Sequence, residues 1–477
     1  MFAAATGAAP AAVTISTSAT QNMTCSGGTC TPTAANAVLS VGDLQTMLAS
    51  SNVTVNTGTG SLPAQVEDIF VTASFNWASA NSLTLDAYRS VTVSAPIAVN
   101  GSAPVSLVTN DGGSGGTLSF ISGGSVAFLG TGNSLSINAK AYSLENSIAA
   151  LAAAIAHKSS GYYALSASYD ASHDGKYNKS PIPTKFKGTF NGLGNTISNL
   201  SIQSKDDDVG LFADVEAHGE VNSLNATGAN IDARGNNEKT GVLIGTVAAI
   251  NDGTIFNTFA GAQIKVSSGK YGTLVGGLVG GNAGIILQSA AAANIAATRQ
   301  KSPNNAVEAG GLSGSNDGTI EVSYATGTTT VAGETTGAFS GGLVGLNEGL
   351  IEDCYAQGAA TAPSSSDVGG LVGNTSSAIT DAYSTGATTT GDDGSVGGFA
   401  GVDGSRGGLS SNYWDTTTSG ITNLSQGAGN IANDPGITGE TTAQLQSGLP
   451  AGFDPTIWAE NPSINGGLPY LINNPPQ

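Results

Sequence analysis

One short pattern recurs seven times and constrains this chain more than any other feature. A small apolar pentad appears at Val209–Ala213, Gly241–Gly245, Gly276–Gly280, Gly310–Gly314, Gly341–Gly345, Gly369–Gly373 and Gly397–Gly401. The pentads end at 213, 245, 280, 314, 345, 373 and 401, so the steps are 32, 35, 34, 31, 28 and 28 residues. Repetition at this period means a solenoid or a propeller. A propeller blade needs four antiparallel strands in ~40 residues. Units of 28 residues with glycine on both flanks suit about three short strands, one turn of a triangular parallel β-helix.

The rest of the unit is equally regular. Asn282, Asn316 and Asn347 follow their pentads by two residues, and Gly284, Gly318 and Gly349 come two later. Both residue types tolerate positive φ, which predicts a sharp turn. An apolar residue then leads to an aromatic four positions on, in Ile255/Phe259, Ile320/Tyr324, Ile351/Tyr355, Ile379/Tyr383 and Leu409/Tyr413. The coil with Ile286 and Ala290 breaks the rule. An offset of four predicts that both residues share one strand face. Stacked coils then place Tyr324, Tyr355 and Tyr383 about 4.8 Å apart, and the asparagines form an amide ladder. Both ladders are expected to be structural, with their residues in the core. Between apolar residue and aromatic stand Asn257, Val322, Asp353 or Asp381. A buried lone Asp is costly, so a bend is expected there.

Upstream, residues 50–140 read as short period-2 strands: Ser82–Ala87, Ser90–Val93, Pro96–Val99 and Ser134–Ile137. Strands this short need partners, and without Asn-Gly hairpin turns the economical arrangement is again a parallel coil. Helices are predicted at Val41–Ser51, at Ser143–His157 (Leu144, Ile148, Leu151 and Ile155 on one face) and at Thr441–Leu449, which opens with a capping-box spacing. The implied division is 1–36 low-complexity, 37–142 first coils, 143–208 helix and connecting coils, 209–401 repeat coils, and 402–477 closing coil, cap and linker.

Composition excludes several classes. The 477 residues carry 15 Lys+Arg against 34 Asp+Glu, a net charge of −19. Nucleic-acid binding needs cations to displace counterions from phosphates, so no nucleic-acid partner is expected. The longest apolar run, Ile148–Ala156, falls far short of the ~20 residues that span a bilayer. Met1–Val13 has no Lys or Arg ahead of its apolar residues and makes a poor signal peptide. Cys25 and Cys30, in CSGGTC, suit a small local disulfide ahead of two free thiols; a metal site wants closer pairs and further ligands. Cys354 is expected to pack as a small apolar residue.

The GGLVGxNxGxI unit resembles the GLUG motif. The blocks Trp77–Val99, Gly161–Ile202 and Asn412–Gly420 resemble segments of filamentous haemagglutinin-like adhesins, and so does Gly452–Leu471 with Phe453, Trp458 and Pro469–Leu471. The resemblance covers most of residues 25–472. It implies a secreted, surface-exposed, right-handed parallel β-helix with adhesive or structural duty. The partners it implies are glycans or surface proteins of host cells or matrix, and an outer-membrane secretion partner for a full-length parent. GLUG repeats also occur beside immunoglobulin-cleaving metallopeptidase domains, but the chain has no HExxH and that activity is not carried over. Without a recognisable export peptide or secretion domain, the chain is expected to be a fragment, or a mis-started reading frame, of a larger exoprotein.

Parallel β-helices also house polysaccharide lyases and hydrolases, which need clustered carboxylates, often calcium, and a base. The densest acidic run, Asp206–Asp207–Asp208, is the weak calcium candidate and otherwise a solvated loop; Asp392–Asp393 is the second. Arg89, Arg234, Arg299 and Arg406 are dispersed, and Gly112–Gly116 lacks the Lys of a phosphate loop. His157, His173 and His218 are isolated, with His173–Asp174 in a polar turn. No catalytic residue and no cofactor is assigned. The expectation is a non-enzymatic adhesin-type segment, with a polysaccharide-processing enzyme or a passive stalk as alternatives.

Overall fold

The computed structural model describes residues 11–58, 66–234, 241–267, 271–299, 306–333 and 337–477. Most of the Met1–Val13 stretch read for export signals, and the Arg299 side chain, lie outside the described residues. The chain is all-β, and its parallel stacked coils form a β-solenoid with three short α-helices among the described residues. It divides into two compact units.

The first unit comprises residues 1–146, 162–168 and 192–195. Its coils stack short strands in register, as in Val53–Asn56, Leu83–Asp86, Pro104–Val108 and Ser134–Ile137. Alternate residues point inward: Val53, Val55, Leu83, Leu85, Val105, Leu107, Leu135 and Ile137 are buried. Two hairpins depart from the parallel rule. Met23–Ser26 pairs antiparallel with Thr29–Pro32 through Gly27 and Gly28, whose φ of 57° and 82° suits a two-residue turn. Cys25 and Cys30 face each other there and are disulfide-bonded. Ser134–Ile137 pairs antiparallel with Lys140–Glu145 through Asn138 and Ala139, at φ 48° and 60°. Helix α1, Val41–Leu48, is capped by Ser40 and buries Leu44 and Leu48.

The second unit comprises residues 147–161, 169–191 and 196–477. Helix α2 is Ile148–His157, five residues shorter than predicted at its start. The Ser147 side chain accepts from Ala150 N and caps the helix there, and Leu144 belongs to a strand instead. Each repeat holds more strands than the three expected. The coil from Ala338 contains Ala338–Gly341, Val344–Asn347, Leu350–Glu352 and Tyr355–Ala356, followed by Ala360–Thr361. Two types of sharp corner make this possible. The first is the pentad: a Cβ on Gly341 would fall on Val344 O, and one on Gly342 on Gly370 O of the next coil. The pentad's central side chains, Leu278, Leu312, Leu343, Leu371 and Phe399, are fully buried. The second corner is a single left-handed residue in every coil: Ser223, Asn257, Gln288, Val322, Asp353, Asp381 and Ser411, at φ 48° to 54°. This is the bend expected between apolar residue and aromatic.

Strand register corrects one repeat boundary. Ala248 pairs with Val279, which pairs with Ser313. The second pentad is therefore Gly245–Ala249 rather than Gly241–Gly245. Asn251 then falls two residues after the pentad, like Asn282, Asn316 and Asn347.

Candidate functional site

The asparagine column is a continuous hydrogen-bonded ladder. Asn251 Nδ2 donates to Asn282 Oδ1 (2.7 Å), Asn282 to Asn316 (2.7 Å), Asn316 to Asn347 (2.8 Å), and Asn347 to Thr375 Oγ1 (3.0 Å). The first three amides also reach a backbone carbonyl of the next coil: Asn251 to Ile285 O, Asn282 to Thr319 O and Asn316 to Leu350 O. All four side chains are buried. The Oδ1 of Asn251 has no partner, because the preceding coil presents Val215 at that position. Asn251 was missed in the sequence because its pentad, GTVAA, lacks the double glycine.

A hydroxyl column runs beside it. Thr258 N donates to Ser289 Oγ and Ser289 N to Ser323 Oγ. Thr258, Ser289 and Ser323 each donate to the carbonyl two residues back. Cys354 takes the next rung and points Sγ at Glu352 O (3.1 Å). Burial pushes its thiol pKa up, so the buried Cys354 stays protonated.

The aromatic column differs from expectation. Tyr324, Tyr355 and Tyr383 stack nearly parallel, with ring centroids 4.8 and 5.1 Å apart. They do not share a face with Ile320, Ile351 and Ile379. The isoleucines are buried inside the coil, whereas the residues after the tyrosines, Ala325 and Ala356, face the interior against Gly311 and Gly342. Alternation then sends the tyrosines outward. The left-handed corner residue reverses the facing, which is why the offset-of-four rule fails. The column is incomplete at both ends. Phe259 pairs with Ala290 and is only half-buried, and Tyr413 extends the backbone pairing but meets Phe453 edge-on.

The outward tyrosines are buried because segment 441–477 lies over them. It is a strap on the outer face, and the part of 402–477 before it continues the coils with Leu409–Ser410, Asn412–Asp415 and Ile437–Glu440. The strap begins at the capping box of helix α3, Thr442–Leu445, and carries an antiparallel pair, Trp458–Ala459 with Tyr470–Leu471. Leu445, Phe453, Trp458 and Leu471 form one apolar cluster with Tyr324, Tyr355, Tyr383 and Tyr413. Polar contacts fix its course: Tyr413 OH donates to Ala451 O (2.7 Å) and Tyr383 OH to Pro469 O (2.7 Å). Asn465 Nδ2 donates to Tyr383 OH (2.9 Å), Gln477 N to Tyr324 OH (3.2 Å), and Asn474 Nδ2 to Ser289 O and Val322 O. Trp458 Nε1 donates to Asp353 Oδ1 (2.7 Å). Tyr355 OH alone among the stacked hydroxyls is buried without a partner.

The acidic candidates do not converge. Asp206, Asp207 and Asp208 line an open cavity of about 330 Å³ with Lys179, Ser180 and Pro183. Burial, then the charges of Asp207 and Asp214, raise the Asp208 carboxyl pKa. Among the described residues no group of three or more His, Cys, Asp or Glu is placed to hold a metal ion. Both oxygens of Asp174 accept phenol hydroxyls, from Tyr169 and from Tyr177 (2.6 Å), rather than His173. Asp392 and Asp393 stand exposed in a loop. Arg89 is structural, paired to buried Asp68 (2.6 Å) and to Glu67 (3.0 Å). No known protein family, curated protein or solved structure matches this chain.

Proposed function

We propose that this chain is a non-enzymatic, adhesin-type passenger segment, secreted or displayed at a bacterial surface, that attaches to glycans or surface proteins of host cells or matrix. One observation supports this reading above the others. The repeat coils put like residues in register, so polar side chains recur on outer faces at coil spacing. Thr330 pairs with Thr361, and Thr361 with Thr389, a hydroxyl column that is half-buried to exposed. Individually weak contacts of this kind gain avidity through repetition. The net charge of −19 opposes edge-to-edge association by mutual repulsion. The adhesin resemblance of Trp77–Val99, Gly161–Ile202, Asn412–Gly420 and Gly452–Leu471 supports the same reading.

Binding of the purified chain to immobilised glycans and matrix proteins tests it, with and without calcium, while released carbohydrate is followed over the same time course. Saturable binding with nothing released is expected. Steady release would replace the reading with a polysaccharide-processing enzyme, and absence of both with a passive stalk.

A further inference from the structure

The strap covers more than aromatic rings. Beneath the strap lie two corner carboxylates in adjacent coils, Asp353 under Trp458 and Asp381 beside Gly452. Asp353 is 6 % exposed and accepts the Trp458 indole N–H. The charged groups around it are Glu352 at the end of the strand before it, Asp381 in the next coil, and Asp454 on the strap, all carboxyls. The surrounding sequence is no source of cations: residues 302–477 hold seventeen Asp and Glu, and Arg406 is the sole Lys or Arg. Each ionised carboxylate under the strap is desolvated and repelled by its neighbours.

The strap is also built to separate from the coils. It meets the coils through ring packing, the tyrosine tips and side-chain bonds at Thr442, Trp458, Asn465 and Asn474, with no strand paired to a coil among the described residues, while its strand pair, Trp458–Ala459 with Tyr470–Leu471, is closed on itself. Gln446 Nε2 to Gly466 O (2.8 Å) ties its helix to the turn before its second strand. Lifting it off leaves the coil ladders intact.

We propose that segment 441–477 is a detachable, pH-responsive strap, held tightest in acid and loosened as pH rises, whose release uncovers the column Tyr324–Tyr355–Tyr383–Tyr413. The sign follows from the carboxyl. Burial is the main cause that pushes Asp353 up to about 6, with Asp381, Glu352 and Asp454 adding to it and the Trp458 bond opposing. Once uncovered, Asp353 returns towards the ordinary carboxylate range near ~4. A proton therefore binds the covered state more tightly, and docking strengthens as pH falls through about 6.

Hydrogen exchange on the whole chain tests this, at pH 5 and pH 8, with rates corrected for intrinsic exchange. The reporters are the two N–H groups whose bonds cross from strap to coil: the Trp458 indole, bonded to Asp353 Oδ1, and the Gln477 amide, bonded to the Tyr324 hydroxyl. Their opening constant is expected to rise about tenfold or more at pH 8, against about 10² for a full two-unit shift, while amides of the asparagine-ladder coils keep their protection. Asp353→Asn suits the left-handed corner and is expected to abolish the difference. Should that variant not fold, Asp381→Asn removes the adjacent like charge and is expected to shrink it. Strap N–H groups that open only together with the coils would overturn the proposal. So would a pH ratio that persists unchanged in the variant.

Discussion

The asparagine and tyrosine columns are both stacks of like residues in successive coils, yet they are stabilised in opposite ways. Asn282 and Asn316 each accept from the asparagine before and donate to the one after, so the ladder draws its partners from the repeats themselves. The tyrosine rings satisfy only one another's faces. Their edges and hydroxyls point out of the coil and need a cover, which arrives from 38 to 153 residues further along the chain. A hydrogen-bonded ladder closes on itself; an aromatic one leaves a surface to be buried.

Breaking each column should show this difference. Asn316→Ala strands the Asn282 amide and the Asn347 carbonyl in a buried site, and each orphan costs ~1–3 kcal/mol. Urea denaturation is expected to show a loss of about 3 kcal/mol, with the strap's proteolytic protection unchanged relative to the coils. Tyr383→Phe removes the bonds to Pro469 and Asn465 and is expected to cost about 1.5 kcal/mol. Its signature is faster cleavage within 441–477. Tyr355→Phe discards a hydroxyl that has no partner and is expected to be neutral or slightly stabilising. Equal losses for the two phenylalanine variants would contradict the hydrogen-bond assignment.

Two smaller effects sharpen the picture. Val322 is a β-branched residue at φ 50°, where its neighbours in the column are Asp, Asn, Gln or Ser. Val322→Asn is expected to gain about 1 kcal/mol by relieving backbone strain, read as a higher midpoint in urea. Glu308 is pushed up to about 7, first by burial and then by Asp317 and Glu348. A carboxyl raised on folding penalises the native state once it ionises, so the penalty is absent in acid and complete above about pH 7. Glu308→Gln is expected to stabilise by about 1 kcal/mol at pH 8 and by nothing at pH 4, measured by thermal melts at both values.

Much of this was legible in the residues. The coil, the asparagine rungs at 282, 316 and 347, the 4.8 Å tyrosine spacing and the corner at Asp353 follow from period and side-chain chemistry. The Cys25–Cys30 bridge was the favoured reading of CSGGTC, and the hairpin through Gly27 and Gly28 that sets the two cysteines face to face is seen only in the structure. Other features were not legible. Asn251 was hidden because its pentad reads GTVAA, and only strand register aligns it. The acidic runs at Asp206–Asp208 and Asp392–Asp393 are conspicuous in sequence, but the fold runs the first into a strand at Asp208 and leaves the second exposed in a loop.

The sequence by itself determined the repeat: its length, its glycine corners and the residues that stack. Those are properties of one unit meeting an identical neighbour, and a period reports them directly. Tertiary structure alone decided which way the tyrosines face and what covers them. A single left-handed residue reverses the facing of the strand after it, and φ at an Asp or Val is not written in a hydropathy pattern. The cover joins Trp458 to Asp353 and Asn474 to Ser289, contacts 105 and 185 residues apart. Such contacts depend on where the coils carry the chain, and no local rule contains that distance.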